Sequence, residues 1–545
     1  MKGLKESTQT NSRAVLTDTG ILIKDQQPYS SIEEAANPFE DEESQERSSG
    51  MFETASLISC VTCLSEADSS RAEVGNSLMV PANSVLPYGN ILYAREINTN
   101  LRDSISDDTL QGMSYDSARS KVVELTFAKP RRHDLIPKKL ILSVASLPSC
   151  SDIVQEIMKR SYKGTKVGKA ILVIVNPHGG KGRASKLYVS KIKPILLAGG
   201  CAVEIVETTY RQHAVDIAMN IDVDKYDIVA CASGDGIPHE VLNGLFKRED
   251  RVKAFNKLTV TQLPCGSGNA MSVSCHGTTN PSQAALSLIK SAEIRIDLMC
   301  CTQPSYAQQP RVSFLSQTYG VIAESDINTE FMRWIGPARF ELGVALNVLQ
   351  RKRYPCDIYV KYAAKSKNEL RNHYVMHKER IRNSAMDLDS DSNDDDVVKT
   401  QDFELKYDLN EEIPSDWEKL DPELTNNLGI FYTGKMPYIA ADTKFFPAAL
   451  PQDGTFDMVI TDSRTPITRM APILLSLDKG SHVLQPEVLH SKILAYRLIP
   501  RIKHSVISVD GESFPLEPIQ VELLPRMCKT LSFNGSYVET EFENM

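Results

Sequence analysis

The spacing of apolar positions changes character along the chain. Between 170 and 264 continuous apolar runs alternate with helical spacing. AILVIV at 170–175, AVEIVET at 202–208, DIVACAS at 227–233 and LTVTQLP at 258–264 read as buried strands. Leu187, Ile192, Ile195 and Leu196 carry a helical stripe between the first two, and HAVDIAMNI (213–221) and HEVLNGLF (239–246) follow the second and third. Strands that are apolar on both faces and separated by helices predict a parallel sheet covered on both sides. The turns that do chemistry then lie at the C-terminal edge of that sheet.

After about 305 strand patterns dominate: RVSFLSQTYG at 311–320, CDIYVKYAAK at 356–365, LGIFYTG at 428–434, TFDMVIT at 455–461, HSVISVDGE at 504–512 and PIQVELLP at 518–525. They predict a mainly antiparallel β domain over 306–540, following an α/β domain over 168–305. Six aspartates within Asp387–Asp396, beside the charged stretch 367–384, predict a disordered acidic insert over about 367–400. Upstream, ILYAREI (91–97), KVVELTF (121–127) and KKLILSVA (138–145), with a helix opening at Asp152, read as a small mainly β module over 87–160 that resembles a pleckstrin-like unit. Its cluster Lys129, Arg131, Arg132, Lys138 and Lys139 is either a face for anionic lipid or solvated surface. Residues 1–86, rich in Ser, Asn, Glu and Gln, read as a disordered tail.

Composition narrows the function. At 545 residues the chain exceeds one ordinary core, and 41% hydrophobic with 24% charged residues is globular usage. A net charge of -9 argues against a nucleic-acid partner. Eleven scattered cysteines fit reduced, intracellular usage rather than a disulfide framework. The first residues lack the apolar centre of a secretory signal, and no run of 18 apolar residues occurs, so a lipid partner implies peripheral membrane contact. In the tail, Cys60 and Cys63 lie in the apolar island LISCVTCLS. They are either a chance pair on a weak local helix or a site of S-acylation supplying two chains.

Three turns could hold a nucleotide. Asn176-Pro177-His178-Gly179-Gly180-Lys181-Gly182 joins a strand to a helix, where small residues let backbone N–H groups approach phosphate. It lacks the spacing of a Walker A loop. Ser233-Gly234-Asp235-Gly236 ends the third strand. Its carboxylate either accepts a hydroxyl proton and positions a metal-bound nucleotide, or caps the next helix. His239 and Glu240 one turn later are either a ligand pair or capping and packing groups. Leu263-Pro264-Cys265-Gly266-Ser267-Gly268-Asn269 follows the fourth strand, and a parallel sheet gathers all three turns together.

These segments resemble the sphingosine and diacylglycerol kinase superfamily, and more closely the fungal sphingoid long-chain base kinases. The resemblance rests on VNPHGGKG (175–182), ASGDGIPHEVLNG (232–244), LPCGSGNAM (263–271), YGVIAESDINTEFMRWIGPARFELG (319–343), DGTFDMVI (453–460) and VDGE (509–512), and covers roughly 168–365 and 425–530. It implies a phosphofructokinase/NAD-kinase-like nucleotide domain followed by a β-sandwich that holds the lipid. By the same resemblance ATP with Mg2+ phosphorylates the primary hydroxyl of sphingosine, dihydrosphingosine or phytosphingosine. Asp235 would accept the proton. Asn176, Pro177, His178, Gly179, Thr208, Ser233, Gly234, Gly266, Ser267 and Gly268 would line the ATP site. Arg333 and Arg339 would reach the phosphates, Glu512 would face the nucleotide or its magnesium, and Asp326 would recognise the amino-alcohol head. Two departures are His178, in place of a commoner basic residue, and Glu324, where Asp is frequent. The expected location is the cytoplasmic face of the endoplasmic reticulum, Golgi, endosome or plasma membrane, with a cytosolic pool. Diacylglycerol or ceramide kinase activity is the alternative, an NAD kinase would need a water-soluble acceptor, and a catalytically dead scaffold would not need Asp235.

Overall fold

The computed structural model of the chain describes residues 13–24, 27–31, 79–81, 83–97, 120–145, 152–328, 352–386 and 397–545. Two compact units emerge, one of residues up to Lys129 plus Ile136–Gly164, the other of Pro130–Leu135 and Thr165–Met545.

The first unit is an eight-stranded sheet with a helix, Ile153–Tyr162. Asp152 caps that helix by accepting from Val154 N at 3.0 Å and Gln155 N at 3.2 Å. Here the structure corrects the reading of 1–86 as tail. Arg13–Leu16, Gly20–Ile23, Gln27–Ser31 and Ser84–Pro87 are strands of this sheet, and Ala14, Ile21 and Ile23 are fully buried in its core. Four-residue strands vanish when composition is averaged over a long polar window. Arg131 and Arg132 are exposed, and Lys139 pairs with Glu124 at 3.3 Å. Cys60 and Cys63 lie outside the described residues.

In the second unit β1 (Ala170–Val175), β2 (Ala202–Glu207), β3 (Ile228–Ser233) and β4 (Thr259–Pro264) form a parallel sheet in the order β2-β1-β3-β4. Every residue of β3 and β4 is buried, as the continuous apolar runs require. The helices α1 (His213–Asn220), α2 (Gly236–Phe246) and α3 (Ala270–His276) follow β2, β3 and β4.

The antiparallel strands include β5 (Ala292–Thr302), β6 (Ser316–Gly320), β7 (Cys356–Ala364), β8 (Leu428–Gly434), β9 (Phe456–Asp462), β10 (Val488–Pro500), β11 (Ile507–Val509), β12 (Glu512–Phe514) and β13 (Ile519–Ser532), with the short strands Arg311–Ser313 and Glu418–Lys419 beside them. They are not a separate sheet. The fourteen-residue β13 pairs with β5 and β10 and also, through Lys529 and Thr259, lies parallel to β4. At about 3.3 Å per residue such a strand is long enough to serve both halves. The last strand of the chain therefore closes the parallel sheet, a pairing that a sequential boundary at 305 does not express.

A shift in register between Ile296 and Leu298 lets Asp297 leave the β5–β13 ladder. Its side chain joins a buried ionic chain in which Lys435 pairs with Asp297 at 2.7 Å and Asp453 at 2.5 Å. Lys492 pairs with Asp453 at 3.0 Å and Asp457 at 2.8 Å, and His490 pairs with Asp457 at 2.6 Å.

The acidic insert is the second correction. Lys367–Met386 is a helix, with Leu370, Tyr374 and Ile381 buried along one stripe. Ser366 and Glu369 cap it, since Glu369 Oε2 accepts from Lys365 N and Ser366 N at 2.9 Å each. Charged residues cover its outer face, and charge density alone reads as disorder. Past the segment 387–396, which lies outside the described residues, Val398 and Phe403 are again buried, and Phe403 meets Phe246 and Phe255.

Candidate active site

The registers Val175↔Glu207, Val175↔Ala232 and Ser233↔Pro264 end four parallel strands at one edge, so all three turns leave from the same line. In the first, Asn176 Oδ1 accepts from His178 N at 3.1 Å and Asn176 O from Gly179 N at 2.9 Å. The side chain of Asn176 thereby tightens the turn, while His178 stays exposed. Thr208, buried at the end of β2, donates its N–H to Val175 O at 2.9 Å.

The second and third turns touch backbone to backbone. A Cβ on Gly266 would stand 2.2 Å from both Cα and N of Gly234. One on Gly268 would stand 2.6 Å from Asp235 Oδ2, and one on Gly234 3.1 Å from Gly268 O. Only glycine permits this crossing. Cys265 N donates to Ser233 O at 3.2 Å, and Asn269 closes its own loop by bonds to Gly266 N at 3.2 Å and Gly266 O at 3.0 Å. Ser233 Oγ donates to Gly234 O at 2.7 Å.

Asp235 does not cap its own helix. Its Oδ1 accepts from Gln262 Nε2 at 3.0 Å and from Ala270 N at 2.8 Å, so the carboxylate bridges α2 to the start of α3. Gln262 is fully buried in β4, and its Oε1 accepts from Ser272 N at 2.9 Å. Burial pushes Asp235 up to about 6, held back by the hydrogen bonds from Gln262 and the backbone of Ala270 and Met271. A partly accessible carboxylate with neutral donors can accept a proton near neutral pH.

Glu512 approaches from the antiparallel half. Asp510 (φ 50°) and Gly511 (φ 83°) form the hairpin turn between β11 and β12, and Glu512 Oε1 lies 3.5 Å from where a Cβ of Gly236 would be. Arg211 Nη2 pairs with Glu512 Oε2 at 2.9 Å. Glu240 caps α1, accepting from Gln212 N at 3.2 Å and Ala214 N at 3.1 Å, which settles it as a capping group. His239 is buried and bonded to Asp510. Asp326 falls in the helix Val321–Asn328, but its side chain, like Arg333 and Arg339, lies outside the described residues. Glu324, two residues earlier in that helix, is buried, accepts from Tyr354 Oη at 2.9 Å and pairs with Lys352 at 2.5 Å.

Sequence reasoning passed over Arg211, Gln262 and Asp510. A glutamine inside the apolar run TVTQLP was a usable signal, because a buried amide needs partners. The D-G pair in VDGE was another, since it marks a tight hairpin turn. Among the described residues no group of three or more His, Cys, Asp or Glu side chains could hold a metal ion, and no helix is long and apolar enough to cross a membrane.

Residues 170–301 match the family model of the diacylglycerol kinase catalytic domain. The chain is 52% identical to sphingoid long chain base kinase 5 of Saccharomyces cerevisiae, over 91% of this chain and 88% of that protein. It is 32% identical to sphingoid long chain base kinase 4 of Schizosaccharomyces pombe, over 84% of this chain and 90% of that protein. A diacylglycerol kinase structure from Bacillus anthracis str. Sterne covers 68% of this chain and 98% of its own, at 16% identity and a TM-score of 0.43.

Proposed function

The chain belongs to the family of sphingoid long-chain base kinases, and we propose on that footing that it moves the γ-phosphoryl group of ATP to the primary hydroxyl of a sphingoid base, with Asp235 taking the proton. The observation that carries this reading is a carboxylate pushed up to about 6 by burial, held by amide donors where two glycine turns cross.

The backbone around Asn176, Pro177, His178 and Gly179, with Thr208, Ser233, Gly234, Gly266, Ser267 and Gly268, lines the nucleotide. The glycine crossing lets the backbones of two of these turns pack in contact, so that their N–H groups gather at one sheet edge where phosphate oxygens can meet them. Glu512, with a third of its side chain exposed, is a hard oxygen donor suited to a magnesium ion carried chiefly by phosphates and water. When bound, that ion supplies charge to the transferring phosphoryl group. Asp235 orients the acceptor hydroxyl and receives its proton, while Arg333 and Arg339 add positive charge at the phosphates. The antiparallel half acts as the sandwich holding the long alkyl chain of the base, and Asp326 pairs with the substrate ammonium. An unpaired ammonium in an apolar cleft would cost several kcal/mol. This pairing disfavours uncharged diacylglycerol. The protein meets its substrate as a peripheral protein at the cytoplasmic face of a membrane, anchored further by acylation of Cys60 and Cys63.

Offering ATP with dihydrosphingosine, phytosphingosine, ceramide and diacylglycerol tests the reading. The two free bases are the expected acceptors, and transfer confined to diacylglycerol or ceramide overturns it. Asp326→Asn should raise the KM for the base about tenfold or more and leave the KM for ATP within twofold. Equal rises would remove Asp326 from the acceptor site.

A further inference from the structure

The two acidic groups of the proposed site come from distant parts of the chain, Asp235 from the first turn of α2 and Glu512 from the β11–β12 hairpin. Something must set their separation. Asp510, one peptide before the glycine of that hairpin, is buried and receives five donors. Its Oδ1 accepts from Ser313 Oγ at 2.6 Å, Leu315 N at 3.1 Å and Ser316 N at 2.9 Å. Its Oδ2 accepts from Phe314 N at 3.2 Å and meets His239 Nδ1 at 2.8 Å. Asp510 N also donates to Ser316 O at 2.8 Å.

Four of those donors belong to residues 313–316, which run beside the hairpin in the antiparallel half. They fix the hairpin on its own strand. His239 is the donor that comes from α2, one turn beyond Asp235. We propose that His239 is a positioning residue for phosphoryl transfer. Its Nδ1–H holds Asp510 and so fixes Glu512 over the first turn of the helix that carries Asp235.

The surroundings of the ring support a directional role over passive packing. Asn243, one turn further along α2, places its Nδ2 3.3 Å from His239 Nε2 and donates to His239 O at 2.9 Å and Val312 O at 2.8 Å. Its Oδ1 accepts from Val312 N at 3.0 Å. Both hydrogens of that amide are taken by the two carbonyl oxygens, and it is the carboxylate of Asp510, an acceptor 2.8 Å from Nδ1, that places the proton on Nδ1. Phe514 of β12 meets the imidazole edge-on at a centroid distance of 6.5 Å. Helix α2 is thus stitched to the strand Arg311–Ser313 by Asn243 and to the hairpin by His239. Asn243 sets the height of the helix, and His239 sets the place of the carboxylate beside it.

The proposal rests on the kinase reading for the role of Glu512, and side-chain geometry supplies a test of its own. The amide nitrogen of asparagine sits as many bonds from the backbone as Nδ1 of histidine, whereas that of glutamine sits one bond further, near Nε2. His239→Asn should therefore keep the bond to Asp510, while His239→Gln and His239→Ala lose it. Calorimetric binding of Mg-ATP to the full chain, without lipid, should weaken about tenfold or more for Ala and Gln and stay within about threefold of wild type for Asn. The KM for the base should change less than twofold in all three, with melting temperatures close to one another. Equal weakening in Asn and Gln, or a rise in base KM matching the loss of nucleotide affinity, overturns the proposal. If Ala does not fold, the Asn and Gln pair still decides it. A wild-type protein that binds Mg-ATP but fails to phosphorylate any sphingoid base would sink the acceptor assignment and leave this binding comparison standing.

Discussion

Asp235 and Asp453 are both enclosed carboxylates, and their surroundings send them in opposite directions. Asp235, at the edge of the parallel sheet, is met by an amide side chain and backbone N–H groups, and burial pushes it up to about 6. For Asp453, in the antiparallel half, burial acts in the same sense, but Lys435 and Lys492 outweigh it and hold the carboxyl well below the usual range. Nothing in either residue type distinguishes them. A carboxylate given neutral donors keeps a proton affinity that chemistry can use, and one given two ammonium groups has become part of the scaffold. If Asp235 takes the proton as proposed, this difference separates a working carboxylate from a structural one more clearly than burial does.

The strongest way to break that contrast is to neutralise the first member. Asp235→Asn should lower kcat by about a thousandfold, the middle of the range for losing a general base. The raised value of Asp235 means that the folded state binds this proton more tightly than the unfolded chain. Its charge therefore costs stability increasingly as pH rises from about 4 through 6. The variant should accordingly melt no lower than wild type at pH 7.5. A turnover near wild type, or a large fall in melting temperature, would place Asp235 with the scaffold. The complementary change is Lys492→Met, which leaves Asp453 and Asp457 short of a partner inside the core. Breaking a buried pair on one side costs about 3–5 kcal/mol, which should lower the main thermal transition by on the order of 10 °C. The kcat of the folded fraction should stay within about threefold, and a selective loss of turnover would make the network catalytic.

The contrast also explains what could be read without a structure. Three of the four parallel strands and their turns were legible because each is an apolar run closed by a glycine turn, so their fold is local in sequence, whereas the strand 202–207 carries Glu204 and Glu207 and has no buried residue. Asp453 and Asp457 fall in the motif DGTFDMVI, but their partners are Lys435, just past the strand Leu428–Gly434, and Lys492, on β10, and only tertiary pairing brings them together. The same reason hid Arg211 and the partner of His239, since Glu512 and Asp510 come from the far end of the chain. Lys367–Met386 was lost for a different cause. Its buried stripe of Leu370, Tyr374 and Ile381 is sparse, and the charged residues between them outweigh it in any average. The strands at 13–31 are short enough to disappear in the same way.

A finer test grades the contrast instead of abolishing it. If Asp235 acts as a carboxylate, kcat/KM should be flat above its value of about 6 and fall about tenfold per pH unit below it. The Nε2–H of Gln262 stabilises the charged form, so Gln262→Leu should move that acid limb upward, by roughly half a unit to one unit. His276 and His373, both pushed down to about 4 by burial, complicate the acid side. The unfolded chain takes up their protons first, so stability falls as pH drops below about 6.5. Melting temperatures taken at each pH separate this loss from the limb itself, since unfolding removes signal for every substrate and at every concentration alike. A midpoint that stays in place or moves downward in Gln262→Leu would assign the limb to another group. It would also mean that neutral donors do not tune Asp235, which is the premise on which its difference from Asp453 stands.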